Sequence, residues 1–150
     1  MAIFLFKQQK YKEAIDLFTE GLNFNPGDYG LYTNRGDCFK AMNLFVKALE
    51  DYLLAFEIEK KSQELNFRIS TIYSIRGVSL FNSKNYELAL REFEESLRFT
   101  PKNEQFVASR AKCLIQLNRK EEALEVLSEC VKLNPTFNEI KALLAQVKEP

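Results

Sequence analysis

The sequence contains no histidine, and this single absence excludes several kinds of active site. Histidine is the commonest general base, the usual partner of serine and cysteine nucleophiles, and a frequent metal ligand. The chain also lacks the GxxxxGK and GxGxxG loops that hold phosphate groups. Neighbouring acidic residues such as Glu94 and Glu95 point in different directions on a helix and do not form a paired catalytic site. We therefore expect no enzyme, no metal site and no cofactor.

Basic residues are not in excess, because 21 Lys and Arg are balanced by 21 Asp and Glu. Nucleic-acid binders usually carry a basic excess, and anionic membranes attract basic segments. The longest early apolar run, Ala2–Phe6, is too short to span a bilayer and lacks the basic start of a secretion signal. Three cysteines without a CxxC spacing indicate reduced thiols. These features predict a cytoplasmic protein that binds neither nucleic acid nor membranes.

Glycine and proline are scarce, with five and four residues, so long secondary-structure elements are expected. Four alanines recur at intervals of 34, 41 and 34 residues: Ala14, Ala48, Ala89 and Ala123. Apolar residues follow each alanine at the same offsets, and these offsets trace one face of an α-helix. A fixed period of this length indicates an array of helical repeats.

Each of these helices is the second of a pair. The first helix carries a small central residue, Gly36, Gly77 or Ala111, which allows two helix backbones to approach closely. Three second helices are expected to stop before an X-Pro step, since proline disfavours helical geometry in the preceding residue. These steps are Asn25-Pro26, Thr100-Pro101 and Asn134-Pro135. The repeating unit is therefore helix–turn–helix, about 34 residues long.

Three segments resemble the second helix and closing turn of the tetratricopeptide repeat (TPR) family: KQQKYKEAIDLFTEGLNFNPGD, NSKNYELALREFEESLRFTPKN and LNRKEEALEVLSECVKLNPTF. The resemblance covers nearly the whole chain. It implies an all-α fold, an α-α superhelix of about 3.5 repeats followed by a capping helix. The expected organisation is a single domain over residues 1–150, with repeats at about 1–28, 29–62, 70–103 and 104–137, a helical extension over 63–69, and a capping helix at about 137–149.

Three parts of the chain depart from a regular array. The first repeat is short, so Phe4, Leu5 and Phe6 are expected to expose apolar surface that would allow self-association. The extension has neither Gly nor Pro and is expected to lengthen a helix, with Ser62 or Asn66 as its N-cap. It is either a tolerated insertion or a projecting elbow offered to a partner. The stripe of Ile140, Leu143, Leu144 and Val147 suits a terminal helix that covers the last repeat.

The resemblance implies a function in protein–protein interaction, because in this family the first helices line a concave groove that holds a partner peptide or helix. We expect Ile75 and Phe81 to be apolar anchors and Asn34, Lys40 and Lys112 to be polar guides. The predicted groove residues are Lys7, Thr33, Asn34, Asp37, Lys40, Thr71, Ser74, Ile75, Val78, Phe81, Asn82, Ser109, Lys112 and Ile115.

Two alternatives stay open. One is an architectural role as a stretch of a larger multi-repeat assembly. The other is chaperone binding through the carboxylate clamp that co-chaperones of this family use. Asn34 occupies the position of one clamp asparagine, but Thr71 and Ile75 stand where the clamp needs Lys and Arg, so most charge-assisted donors are missing.

Overall fold

The computed structural model describes residues 1–148, which form nine α-helices and no β-strand. The helices are α1 (Ala2–Lys7), α2 (Tyr11–Phe24), α3 (Tyr29–Ala41), α4 (Phe45–Ile58), α5 (Gln63–Asn82), α6 (Tyr86–Phe99), α7 (Glu104–Gln116), α8 (Lys120–Leu133) and α9 (Asn138–Lys148). The predicted all-α helical-repeat class is confirmed. Glu149, placed in the predicted capping helix, lies outside the described residues. No helix within residues 1–148 has the length and apolar character needed to cross a membrane.

The helix ends follow local sequence signals. Helices α2, α6 and α8 each stop one residue before the X of an X-Pro step, where the chain turns to extended geometry. The Asp28 carboxylate caps α3 by accepting bonds from the amides of Gly30 (2.8 Å) and Leu31 (3.2 Å). Of the two candidate caps of α5, Ser62 accepts a bond from the Leu65 amide (3.2 Å), whereas Asn66 lies inside the helix.

The turn within each helix pair uses a left-handed residue that is not glycine. Gln9, Asn43, Lys84 and Asn118 have φ between 57° and 62°. Each follows a first helix, and the next amide bonds back to a carbonyl five residues earlier, as in Lys10 to Leu5 and Asn85 to Leu80 (both 2.9 Å). This is the Schellman pattern of helix termination. The four residues are spaced 34, 41 and 34 apart, so the backbone repeats at the intervals of the alanines.

Helix α5 absorbs the extra residues between the second and third repeats. It contains 20 residues, whereas the corresponding first helices α3 and α7 contain 13. The segment 63–69 therefore forms the first two turns of a longer helix and does not form a loop.

The chain divides into two compact units, residues 1–72 and 73–150. In the first unit, Ala14, Phe18 and Cys38 form a buried cluster against which α1 packs Leu5 and Phe6. Gly36 lies directly over Tyr52, because a Cβ atom at this glycine would stand 2.7 Å from the ring.

The second unit has its own core, built from α6, α7, α8 and α9. Leu114, Leu127 and Ile140 are completely buried in it. Ile140, Leu143 and Val147 form the inner face of α9 and cover α7 and α8, while Lys141, Ala142 and Gln146 face outward. This placement is what a helix covering the end of an array requires. Gly77 lies against Phe93 in the way that Gly36 lies against Tyr52.

Candidate partner-binding surface

Six of the predicted groove residues lie in the first unit: Lys7, Thr33, Asn34, Asp37, Lys40 and Thr71. None of them is buried, so this face is accessible. The hydroxyls of Thr33 and Thr71 donate to carbonyls of their own helices, at 2.7 Å in both cases. These two threonines therefore already use their hydrogen for an intrahelical bond.

The Asp37 carboxylate is held by two side chains of the first unit. The Tyr52 hydroxyl donates to it at 2.6 Å, and Arg68 on α5 contributes two further bonds at 3.0 and 3.1 Å. Arg68 also pairs with Glu64 at 2.6 Å. Burial, together with the bond to Asp37, raises the pKa of Tyr52, so this phenol stays protonated and keeps donating. Asp37 is thus a structural link among α3, α4 and α5 as well as a predicted groove residue.

Asn34 borders a small cavity of the first unit, with Ile3, Phe6, Phe18 and Asp37 as the other walls. Its volume is about 40 Å³. A benzene ring needs roughly 150 Å³, so this space is suited to water and not to a large side chain.

The second unit carries a larger cavity, lined by Val78, Phe81, Asn82, Phe93, Ser109 and Lys112, which we call the α5–α7 cavity. Its volume is about 240 Å³, enough for an aromatic side chain. Five of its six lining residues belong to the groove predicted from the sequence. Phe81 is held edge-on by Tyr86, with ring centroids 5.2 Å apart. Val78 is 47% exposed, so one wall of the cavity is an accessible apolar surface.

Three predicted residues of this unit do not line the cavity. Ser74 and Ile75 are half-buried on α5, and Ile115 is half-buried on α7. Lys112, expected to guide a partner, forms an ion pair with Glu139 of α9 at 2.6 Å. The pair is almost half exposed, so a competing carboxylate has access to Lys112.

Two cavity features were missed by the sequence analysis. Phe93 forms part of the lining, and Glu139 neutralises Lys112. Phe93 had a readable signal, since it follows Gly77 by 16 residues as Tyr52 follows Gly36. Glu139 had none, because a pair 27 residues apart depends on how α9 packs beside α7.

Comparison with known proteins identifies the family. A model of the tetratricopeptide repeat matches residues 80–147. "Hsp70-Hsp90 organizing protein 3" of Arabidopsis thaliana is 32% identical over 114 residues, covering 76% of this chain and 19% of that protein. "RNA polymerase II-associated protein 3" of Homo sapiens is 35% identical over 98 residues, covering 65% and 14%. The chain belongs to the tetratricopeptide repeat family.

Solved structures agree with this TPR assignment at the level of the fold. The structure of MamA superposes with a TM-score of 0.62 at 11% identity, covering 98% of this chain and 82% of that one. The first TPR of Spaghetti (RPAP3), bound to the HSP90 peptide SRMEEVD, superposes with a TM-score of 0.51 at 26% identity, covering 78% and 87%. The TPR chain spans about a fifth of the length of the curated relatives it matches.

The three cysteines of the TPR chain are free and buried. Burial raises the pKa of Cys38 to about 11 and that of Cys113 to about 12, and it also raises the pKa of Cys130. A thiol is nucleophilic as its thiolate, so these groups are suppressed at neutral pH. They act as small apolar side chains of the helix interfaces.

Proposed function

We propose that this TPR domain is a protein-interaction scaffold and that the α5–α7 cavity receives an apolar or aromatic side chain of a partner peptide or helix. The supporting observation is the cavity itself, which brings together Val78, Phe81, Asn82, Ser109 and Lys112 over the ring of Phe93. An accessible apolar recess with a few polar groups at its edge is typical of a binding site. Phe81 is the proposed anchor, since it contributes apolar surface and is fixed by Tyr86.

The polar surroundings add a requirement for the partner. Asn82 offers an amide for hydrogen bonding beside the apolar recess, and Lys112 is shared with Glu139. The Ser109 hydroxyl donates to the Gln105 carbonyl at 2.9 Å, so it offers a partner only an acceptor. A partner carboxylate competes with Glu139 for Lys112, whereas a neutral polar group does not. We propose that Ile75 extends the apolar contact, and that Asn34 and Lys40 contact the partner on the face of α3.

Affinity capture with quantitative mass spectrometry tests the proposal. Val78→Asp places a charge in the cavity wall, and Phe81→Ala removes the anchor. Leu88→Asp is the matched control, because Leu88 is 49% exposed on α6 and does not line the cavity. We expect both cavity variants to lose the same captured proteins by more than tenfold while the control retains them. Circular dichroism verifies folding, and retention of those proteins by both folded cavity variants would place the contact on another face.

Chaperone binding is the second candidate, supported by the HSP90 peptide bound to the Spaghetti TPR and by Asn34 at a clamp position. Fluorescence anisotropy with the peptide SRMEEVD and its C-terminal amide tests it directly. A clamp would bind only the free carboxylate, and Asn34→Ala would weaken that binding. Because Thr71 and Ile75 lack the clamp charges, we expect little binding to the natural sequence and a gain in the Thr71→Lys/Ile75→Arg variant.

An architectural role within a larger assembly is the third candidate. Ile3 and Phe4 of α1 are 56% and 57% exposed, which supports an apolar contact at this end of the first unit. We propose self-association through α1 as its simplest form. Sedimentation velocity should show a concentration-dependent increase in mass that Phe4→Asp abolishes; a mass that stays monomeric at all concentrations removes this candidate.

We further propose a cytosolic protein without catalytic or nucleic-acid-binding activity. Three buried, unpaired cysteines support a reducing environment. The balance of 21 basic and 21 acidic residues leaves no net positive charge for counterion displacement.

A further inference from the structure

An arginine occurs at the same position of three first helices, and in two of them its surroundings are alike. Arg35 on α3 lies 5.7 Å from the ring centroid of Tyr32 and binds Asp51 through two bonds of 2.7 and 2.8 Å. Arg76 on α5 lies 5.9 Å from the ring centroid of Tyr73 and binds Glu92 at 2.8 Å. In each repeat the aromatic residue precedes the arginine by three positions and the carboxylate follows it by 16.

In the third repeat a second ring completes the arrangement. Tyr73 and Phe99 stack with centroids 6.2 Å apart and planes inclined by 18°. The guanidinium of Arg76 therefore contacts the ring of Tyr73, which itself stacks on Phe99, and it also binds the carboxylate of Glu92. Cation–π contact and a charge-assisted hydrogen bond both stabilise an arginine in such a place.

The fourth repeat keeps the arginine and loses its partners. Arg110 follows Arg76 by 34 residues, and at the same distance Val107 replaces Tyr73 and Val126 replaces Glu92. Leu133 replaces Phe99 in the same way. With both rings absent, a cavity of about 440 Å³ opens between α6, α7 and α8, and Val107, Arg110, Val126 and Leu133 all line it. We call it the Arg110 cavity.

The acidic residues around this cavity satisfy the Arg110 guanidinium only in part. Its Nη2 atom lies 3.3 Å from Glu94, but its buried Nε has no hydrogen-bond partner among the described residues. Glu104, a nearby acid in the lining, accepts a hydrogen bond from the Asn134 amide. Lys102 and Glu129 are exposed and balance each other at the rim. A buried donor without an acceptor is costly, and the Arg110 side chain is 31% exposed, so a further carboxylate at this guanidinium would form a charge-assisted hydrogen bond.

We propose that the Arg110 cavity is a docking site for a partner protein segment in which an aromatic side chain stands beside a carboxylate. The ring would fill the space that Tyr73 and Phe99 occupy one repeat earlier, and the carboxylate would bind the guanidinium of Arg110, the counterpart of Arg76. Pro101 and Leu97 supply further apolar wall for the ring. This site shares no lining residue with the α5–α7 cavity and does not depend on the function proposed for that cavity.

Chemical-shift titration of the ¹⁵N-labelled chain tests the proposal with a defined probe, the capped peptide acetyl-Gly-Glu-Phe-Glu-Gly-amide. Two matched peptides replace both Glu by Gln, or Phe by Ala. We expect the Glu/Phe peptide to shift amides of α7 and α8 around Arg110. It should bind at least fivefold more tightly than either control peptide.

Variants that copy the third repeat into the fourth provide the sharper test. Val126→Glu gives Arg110 a carboxylate of its own and should abolish the preference for Glu over Gln. Val107→Tyr/Leu133→Phe fills the cavity and should reduce binding of the Glu/Phe peptide more than tenfold. Leu88→Ala is the control, because Leu88 is exposed and lines neither cavity, and it should bind the peptide as the unaltered chain does. If the double variant fails to fold, Arg110→Gln replaces it, with the loss of the Glu preference as the expected result.

Three results would overturn the proposal. The first is full binding of the Glu/Phe peptide by the folded cavity-filled and Val126→Glu variants. The second is the absence of shifts around Arg110 at peptide concentrations of about 5 mM, beyond the range of even a weak specific contact. The third is movement of the same resonances with the concentration of the chain alone, which would identify a second copy as the occupant.

Discussion

Gly77 and Phe93 show how closely two side-chain positions of a repeat depend on each other. A Cβ atom at Gly77 would stand 2.9 Å from two atoms of the Phe93 ring. The corresponding positions of the next repeat hold Ala111 and Leu127, both completely buried. Where the first helix has alanine in place of glycine, the second helix has leucine in place of phenylalanine. The combined side-chain volume of the two positions is therefore nearly conserved, as expected of a close-packed core.

Gly77→Ala should lower the free energy of unfolding by about 1–3 kcal/mol, since the added methyl group forces the ring to move. Phe93→Leu removes the obstacle and reproduces the combination found in the next repeat. We expect the double variant to be more stable than the sum of the two single effects predicts, when all four chains are compared by urea unfolding. Simple additivity would show that the two positions do not share a packing constraint.

Glu92 provides a residue-scale prediction of pH dependence. Burial raises its pKa above the ordinary glutamate value, although Arg76 acts in the opposite direction. A carboxyl group with a raised folded-state pKa stabilises the fold below its unfolded-state pKa, and this contribution is lost as the pH rises through the folded value. Glu92→Gln removes it. The stability of the natural chain relative to this variant should therefore increase between pH 7 and pH 4 in urea titrations, and a decrease would reverse the assigned direction.

The element scale is where sequence reasoning was most informative, because its signals act within a few residues. The X-Pro steps located the ends of α2, α6 and α8, and the small residues Gly36 and Gly77 located helix contacts. The left-handed turns were missed, since Gln9 and Lys84 are not residues that favour positive φ. These turns could have been predicted only from their position, because they recur at the intervals of the repeats.

Lys84 carries a conformational cost that glycine would not. A non-glycine residue at φ 62° brings its Cβ atom close to the backbone. Lys84→Gly should raise the free energy of unfolding by about 0.5–1 kcal/mol after the extra flexibility of glycine in the unfolded chain is subtracted. Lys84→Ala is the control, because it shortens the side chain and keeps the strain. Equal stability of the two variants would show that the left-handed turn costs little here.

Helix α9 packs on α7 and α8, and the predicted capping role of this helix can be tested by removing it. A chain that ends at Pro135 loses the side chains of Ile140, Leu143 and Val147, each worth roughly 1.5–3 kcal/mol when fully buried. We expect the truncated chain to melt at lower temperature and to aggregate, because Leu114 and Leu127 lose neighbours, while α2 to α4 still form. Unchanged melting and solubility would contradict the capping role.

At the scale of the whole molecule, the ion pairs around a candidate site cannot be predicted from local sequence patterns. Asp37 was predicted as a groove residue, yet its carboxylate binds Arg68, 31 residues away. Lys112 likewise binds Glu139. The sequence shows that such residues lie on accessible helix faces, but their partners depend on how the helices pack. The sequence therefore predicted which helix face carries the candidate site, but it predicted few of the interactions that its side chains make.

The reactivity of the buried thiols can show whether the two compact units unfold together or separately. Cys38 belongs to the first unit and Cys113 to the second, and burial raises the pKa of both to about 11 and about 12. With one cysteine retained at a time, each thiol should react with Ellman's reagent at pH 8 at least about 100-fold more slowly than in the unfolded chain. We expect the two thiols to become reactive at different urea concentrations, as separately opening units require. Coincident transitions would show that the chain unfolds as one unit.

The left-handed turns at Lys84 and Asn118 have a consequence for lengthening the protein. They lie 34 residues apart and share both their φ values and their pattern of backbone hydrogen bonds. A copy of residues 85–118 inserted after Asn118 would begin and end in the backbone geometry that the chain already adopts at those points. In the lengthened chain the copied Glu92 would follow Arg110 by sixteen residues, which is its natural distance from Arg76. The copied α7 would present a second Arg110 before α8. Residues 85–118 are thus a unit that can be duplicated, and its boundaries are the left-handed turns and not the X-Pro steps.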